Sequence, residues 1–296
     1  MPRTFARLTL SVALVALVPH ALTQPPPTPP LAGIAHAAIS VGNLDASRAF
    51  YRKLGFEEAF AFDKNGVTTQ SFIKINDRQF IELYPRLQPS DTAGFLHVCF
   101  ESTEIAALNK FYLARGLKPT PVGKAAAGNL LFTLEGPEHQ NIEYTQYMPG
   151  SRHSNDFGKH LGANRISTTL VATALFMQDP SAAGNFYSTQ LGFRSAENLA
   201  SAQDIGFDQK SVFWLRLPGS AQSIAFIPQG SAFRMIFGVD NLKQTAAQLQ
   251  SLNIRFVKND TSLFIHDPDG NILVFLVLGA NANGRSCGRT RDRSLG

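Results

Sequence analysis

The heptapeptide QFIELYP at residues 79–85 nearly recurs as QSIAFIP at 222–228, yet Glu82 of the first copy is replaced by Ala225 in the second. A carboxylate in an apolar strand pattern is a candidate metal ligand or general base. Three more titratable residues stand in similar surroundings: His36 in IAHAAI, His97 in FLHVCF and Glu143 in QNIEYTQY. Imidazoles and carboxylates are the side chains that suit a divalent cation. Taken singly, each has a simpler explanation. A lone histidine in an apolar strand is commonly a hydrogen-bonded structural residue, and a lone glutamate at a strand end is commonly solvated.

The elements that carry these residues repeat. AFYRKLGF around Phe50 matches NFYSTQLGF around Phe186. Each follows a β-type run, IAHAAISV or ISTTLVAT, and each predicts a helix ending near a glycine, Gly55 or Gly192. Short alternating stretches come next, SFIKIN and QFIELYP in one copy, SVFWLRL and QSIAFIP in the other. A second kind of unit has the same order. GFLHVCF leads through a helical segment to NLLFTLEGPEHQNIEYTQY, and SAFRMIF leads likewise to TSLFIHDPDGNILVFLVL, with EGPEHQN and HDPDGNI as the connecting turns. Four strand–helix–strands units follow, at about 33–90, 94–148, 165–229 and 231–279. The polar stretch from Pro149 to Asn164 separates two pairs.

Four βαβββ modules in two pairs, with an FYxxxLGF-type helix end and a DPDGN turn before the last strand, resemble the vicinal oxygen chelate superfamily. It includes glyoxalase I, extradiol dioxygenases and the bleomycin-resistance proteins. The resemblance covers about 33–279 and implies an α+β fold of two domains, 33–148 and 165–279, joined by a linker at 149–164. In that superfamily the first and last strands of each module supply the metal ligands. Carried onto this chain, those positions are His36, Glu82, His97 and Glu143 in the first pair. In the second pair they read Thr168, Ala225, Met235 (or Arg234) and Leu273, which cannot hold a metal. The resemblance to glyoxalase I implies a divalent metal (Ni, Co, Zn, Mn or Fe), an enediolate formed from a small oxygen-chelating substrate, and Glu143 or Glu82 as the base. Tyr84, Thr145 and Cys99 each stand two residues from a ligand, hence on the same strand face; pocket lining or core packing explains Tyr84 and Thr145 equally, while Cys99 could face the same cavity but reads first as a buried structural thiol. His139, His153, His160 and His266 read as turn or linker histidines.

At 296 residues, with 44% hydrophobic and 17% charged content, the chain supports two packed domains. Arg3 and Arg7 precede an uncharged run from Leu8 to Val18, too short to span a bilayer. Residues 1–24 therefore read as a signal peptide, and 25–32, with its PPPTPP, as an extended spacer outside the fold. An exported protein follows, with no membrane anchor after cleavage. The two cysteines, Cys99 in a strand and Cys287 in the tail, predict no disulfide framework. The net charge of +5 is concentrated in the tail 280–296, with Arg285, Arg289, Arg291 and Arg293, and the rest carries only about +2. A nucleic-acid partner is not expected; a small-molecule substrate and a monomer or homodimer are.

Two features weigh against the simplest reading. Ser40 stands four residues after His36, where glutathione-type glyoxalases have an arginine, so glutathione recognition is not implied. The four-module layout also resembles extradiol dioxygenases, although those use two histidines and one glutamate, normally in the second pair. The third reading is a metal-free binding protein like the bleomycin-resistance group, with an apolar cavity lined by residues such as Phe213, Trp214 and Phe226.

Overall fold

Every residue of GIAHAAISV, Gly33–Val41, is buried, as a strand with neighbours on both edges and layers on both faces must be. The computed structural model describes residues 27–278 except 87, 89, 91 and 196–199; the expected signal peptide at 1–24 and the tail at 280–296 lie outside the described residues. From this strand, β1, the first module continues through α1 (Leu44–Lys53), β2 (Glu57–Lys64), β3 (Val67–Asn76) and β4 (Gln79–Pro85). The second comprises β5 (Gly94–Glu101), α2 (Ile105–Ala114), β6 (Gly123–Lys124), β7 (Leu130–Glu135) and β8 (Asn141–Gln146). A short α3 (Arg152–Asn155) lies in the linker. The third module is β9 (Thr169–Met177), α4 (Pro180–Thr189), β10 (Arg194–Ser195), β11 (Phe213–Arg216) and β12 (Ser223–Pro228). The fourth is β13 (Arg234–Val239), α5 (Leu242–Ser251), β14 (Val257–Lys258), β15 (Ser262–His266) and β16 (Ile272–Val277). All four are βαβββ units, and the fold is α+β.

The modules join in pairs into two eight-stranded sheets, ordered β2-β3-β4-β1-β5-β8-β7-β6 and β10-β11-β12-β9-β13-β16-β15-β14. Within each module the first and last strands are parallel neighbours, and the two first strands pair antiparallel at the centre. The four central strands of the first sheet are therefore the four that carry Glu82, His36, His97 and Glu143.

Alternation along these strands separates two faces. One face of each sheet packs against its helices and against the other domain, and the residues from both domains form one apolar cluster. Phe56 stacks on Phe237 at 5.7 Å, and Phe100 meets Phe193 edge-on at 5.4 Å. The two sequence motifs meet across this seam. The Tyr51 hydroxyl, from FYRKLGF, donates to Asp267 of the DPDGN turn at 3.0 Å, and Tyr187 donates to Gln140 of the EGPEHQN turn at 2.7 Å. Asp269 accepts from the Gly42 N–H just before α1, and Glu138 accepts from the Gln178 and Asp179 N–H groups before α4. Each domain thus places a carboxylate at the positive end of a helix in the other. Gly55 closes α1 with φ +86°, and a Cβ there would lie 2.6 Å from the Asn164 carbonyl oxygen. The position needs glycine for both conformation and space.

Two expectations change. The spacer does not stand clear of the fold, because Leu31 is buried and its N–H donates to the Pro218 carbonyl at 2.7 Å. The linker is not a tether: Lys74, fully buried, donates from Nζ to the Asp156 carboxylate at 2.7 Å and to its backbone carbonyl at 2.6 Å. Arg48 of α1 pairs with Glu58, with Nε–Oε2 at 2.5 Å. Among the described residues no helix is long and apolar enough to cross a membrane.

Candidate metal centre

Register on the outward, concave face of the first sheet brings the four predicted ligands together. In one cross-strand row Glu82 of β4 lies beside Ala38 of β1, which lies beside His97 of β5. In the next row His36 lies beside Cys99, and Cys99 beside Glu143 of β8. Two diagonal pairs result, and the small side chain of Ala38 leaves room for the imidazoles to turn toward each other. His36 Nε2 is 3.2 Å from His97 Nε2, 2.9 Å from Glu82 Oε2 and 3.3 Å from Glu143 Oε1. His97 Nε2 lies 3.4 Å from Glu82 Oε2 and 3.7 Å from Glu143 Oε2.

These separations match a coordination shell. Donors about 2.1 Å from a common centre are about 3.0 Å apart at right angles and about 3.4 Å apart at the tetrahedral angle. Glu82 Oε2 is buried and forms no hydrogen bond, although it faces both imidazoles. An acceptor left in that state is costly unless a cation or proton meets it. Two imidazoles and two carboxylates fit a divalent ion in charge and donor type, and leave one or two of six positions for water or substrate.

The electrostatics show what the donors do without a cation. Burial pushes the His36 imidazole down, but the carboxylates of Glu82 and Glu143 outweigh it and lift the group to about 10. Burial pushes Glu82 and Glu143 up, and the two histidines pull both carboxyls below the usual range. A proton thus occupies part of the space a metal would take.

The two carboxylates are held differently. Glu82 Oε1 accepts from the Gln70 amide and from the Tyr84 hydroxyl at 2.9 Å, and Gln70 also donates to that hydroxyl at 2.8 Å. Burial first, then the Glu82 charge, raises the Tyr84 hydroxyl well above its ordinary value, so it stays a donor. Glu143 contributes to the wall of an adjacent cavity of about 230 Å³ and keeps 14% of its side chain exposed.

Tyr84 and Thr145 line this cavity. Cys99 does not. It is fully buried between His36 and Glu143 in the sheet, and burial together with the neighbouring carboxylates keeps its thiol protonated. His153, read as a linker histidine, is a cavity residue: Asn129 bonds its Nδ1 at 2.8 Å, and Tyr147 stacks on the ring at 4.8 Å. Burial drives this imidazole down to about 3, so it is neutral. Gln70, Phe72 and Asn129 also line the cavity and carried no signal in the sequence beyond a polar residue in an alternating strand. His139 and His266 are exposed, and His160 pairs with Asp156 at 2.5 Å.

Register in the second sheet corrects the equivalent positions. Ala225 lies beside Ala174, which lies beside Arg234, and Ala172 lies beside Ile236, which lies beside Val274. The counterparts of His36, Glu82, His97 and Glu143 are therefore Ala172, Ala225, Arg234 and Val274. Thr168 precedes β9 altogether, and Met235 and Leu273 face the core between the domains. Phe213 and Phe226 face that core too, leaving Trp214 on the concave face.

Residues 33–144 match the family described as the Glyoxalase/Bleomycin resistance protein/Dioxygenase superfamily. No curated protein sequence matches the chain. Among solved structures, the chain is similar to the 2,3-dioxygenase LapB from Pseudomonas sp. KL28, at 18% identity over 85% of this chain and 94% of that one, with a TM-score of 0.62. It is similar to the Mn(II)-bound glyoxalase from Novosphingobium aromaticivorans, at 16% identity over 84% and 83%, TM-score 0.63. A variant of homoprotocatechuate 2,3-dioxygenase from B. fuscum shares 18% identity over 85% and 73%, TM-score 0.61. At these identities the likeness is one of fold, and it extends over both domains.

Proposed function

The chain belongs, through its first domain, to the glyoxalase/bleomycin resistance protein/dioxygenase superfamily, and from that premise we propose that it is a divalent-metal-dependent enzyme of the glyoxalase I type, a lyase or isomerase acting on a small substrate with two neighbouring oxygens. The carrying observation is that Glu82 and Glu143 each lie within 2.9–3.7 Å of both His36 and His97, whose ring nitrogens are 3.2 Å apart, beside a cavity. His36, His97 and the two glutamates would hold the metal, which when bound supplies Lewis-acid polarisation of the substrate oxygens.

Glu143 is the better base of the two carboxylates. Glu82 Oε1 is fixed by Gln70 and Tyr84, whereas Glu143 keeps part of its surface open to the cavity and is ionised. A carboxylate in that position takes a proton from a carbon next to the substrate carbonyl. Phe62, Phe72 and the neutral His153 ring line the cavity around it and exclude water. Four protein ligands leave less room for substrate and oxygen together, which favours proton transfer over dioxygenase chemistry. On the leader-like first 24 residues, we place the mature enzyme outside the cytoplasm, as a monomer or homodimer.

The test is elemental analysis of the mature protein beside a His36→Ala/Glu143→Ala double variant, followed by substrate screening. About one equivalent of transition metal in the parent and none in the variant is expected. Solvent deuterium should then exchange at the carbon beside the carbonyl of a turned-over substrate, and Glu143→Gln should abolish that exchange. Oxygen consumption with iron and catechols would replace the lyase reading with a dioxygenase, and no metal in the parent would sink both.

A further inference from the structure

The second sheet repeats the geometry of the first with the opposite chemistry. On its concave face one cross-strand row runs Trp214, Ala225, Ala174, Arg234, and the next runs Ser223, Ala172, Ile236, Val274. The corresponding rows of the first sheet are Phe72, Glu82, Ala38, His97 and Phe80, His36, Cys99, Glu143. Both acidic ligands have become apolar, and a guanidinium stands where His97 stood.

That guanidinium is only 8% exposed, and no carboxylate lies within ion-pair distance of it among the described residues. Its Nη1 donates to the Ala232 carbonyl at 2.7 Å, its Cζ lies 4.3 Å from the centre of the Phe207 ring, and its Nε has no partner. Burial alone, with nothing to offset it, lowers the group to about 10. Three further buried polar atoms on the same face lack a partner: Trp214 Nε1, Ser223 Oγ and Ser262 Oγ. Each can donate, and the indole and the guanidinium can only donate. Buried donors left unpaired this way are costly, and native proteins rarely leave them without water or a ligand to meet them.

We propose that the concave face of the second domain binds a small organic carboxylate, its charge gripped by Arg234 and its apolar body held against the partly exposed rings of Phe207 and Trp214. An arginine fork matches a carboxylate bidentately, which a lysine at this place would not. Ala172, Ala174 and Ala225 are fully buried beneath Ile205 and Phe207, so the apolar surface an aromatic body meets is the Phe207 and Trp214 rings. Trp214 and Phe207 are only partly buried, so the edge of the site meets solvent. This site shares no residue with the metal centre and stands or falls independently of it.

Trp214 is the chain's single tryptophan, so its emission reports this site directly. The experiment titrates the mature protein with benzoate and, in parallel, with benzyl alcohol as the neutral counterpart, following tryptophan fluorescence and thermal midpoint. Benzoate should give a saturable emission change and raise the midpoint, with benzyl alcohol at least about tenfold weaker. Arg234→Met should weaken benzoate by about tenfold or more, while the His36→Ala/Glu143→Ala variant should bind it as the parent does. Equal response to both compounds, an unchanged benzoate titration in a folded Arg234→Met variant, or no saturable change in the parent would each overturn the proposal. Should Arg234→Met fail to fold, the comparison of the two compounds in the parent still decides it.

Discussion

Gln70→Leu probes whether Glu82 is held in place for a cation. The Gln70 amide donates to Glu82 Oε1 and to the Tyr84 hydroxyl, and that hydroxyl donates to the same carboxylate oxygen at 2.9 Å. Leucine keeps most of the volume and removes one of the two donors that fix a carboxylate only 3% exposed. A hydrogen bond to a charged group is worth about 1.5–3 kcal/mol, so the metal dissociation constant should rise by about 10- to 150-fold. Tyr84→Phe removes the other donor and should cost a similar amount. Because Gln70 also orients the Tyr84 hydroxyl, the two losses are coupled, and the double variant should fall short of their sum. Dissociation constants for Zn²⁺ and Mn²⁺, measured by chelator competition for the parent, both single variants and the double, give the cycle. Melting of the metal-free proteins separates the alternatives, since a purely structural role would lower the apo midpoint and leave the affinity of the folded fraction alone. Affinities within twofold of the parent in both single variants would refute the reasoning.

Two further outcomes follow from buried polar groups near the cavity. His153 is held neutral, near 3, whereas in the unfolded chain it titrates near 6.5, so protonation favours unfolding as pH falls below the unfolded value. The parent should therefore lose about 2 kcal/mol between pH 7.5 and 5.0 that His153→Phe does not lose; identical pH profiles in urea titrations would disprove this. Lys74→Met leaves the Asp156 carboxylate buried without its cation and should cost about 3–5 kcal/mol, much of it recovered in Lys74→Met/Asp156→Leu. A single variant as stable as the parent in the same titrations would mean that the linker is not anchored there.

The four clustered residues were legible because each sits on a strand whose first-or-last position in a repeat is visible, and because alternation fixes the face. The shell around them was not. Gln70 lies on β3 and Asn129 beside β7, and their reach into the cavity depends on sheet curvature, which no local pattern encodes. His153 arrives from a linker that folds back where Lys74 captures Asp156 and Asp77 accepts from the Gly158 N–H. Cys99 had the right parity, but at the sheet's centre it lies beneath the cavity. In the second domain the register slipped in the sequence comparison because no ligand marks the place; the one shift between β9 and β13 has two counterparts between β1 and β5, in the sheet where the four His/Glu positions were legible. Phe213 and Trp214 are adjacent on one strand and cannot share a face, which parity alone could have revealed.

A domain without the His/Glu cluster could be dispensable, but the interface argues otherwise. Asp269 of the second domain sits at the start of α1 and accepts from Gly42, the residue directly after β1. Asp267 holds Tyr51 of the same helix. Gln79, on the strand that carries Glu82, donates to the Leu170 carbonyl of β9 and accepts from the Leu170 N–H. The strands presenting His36 and Glu82 are thus braced directly by the second domain, so that domain must keep its fold whatever its own concave face binds. That concave face carries none of the four His/Glu side chains of the first sheet. The exchange of two carboxylates for Ala225 and Val274, with arginine in place of His97, is a change of charge that leaves the scaffold's register untouched.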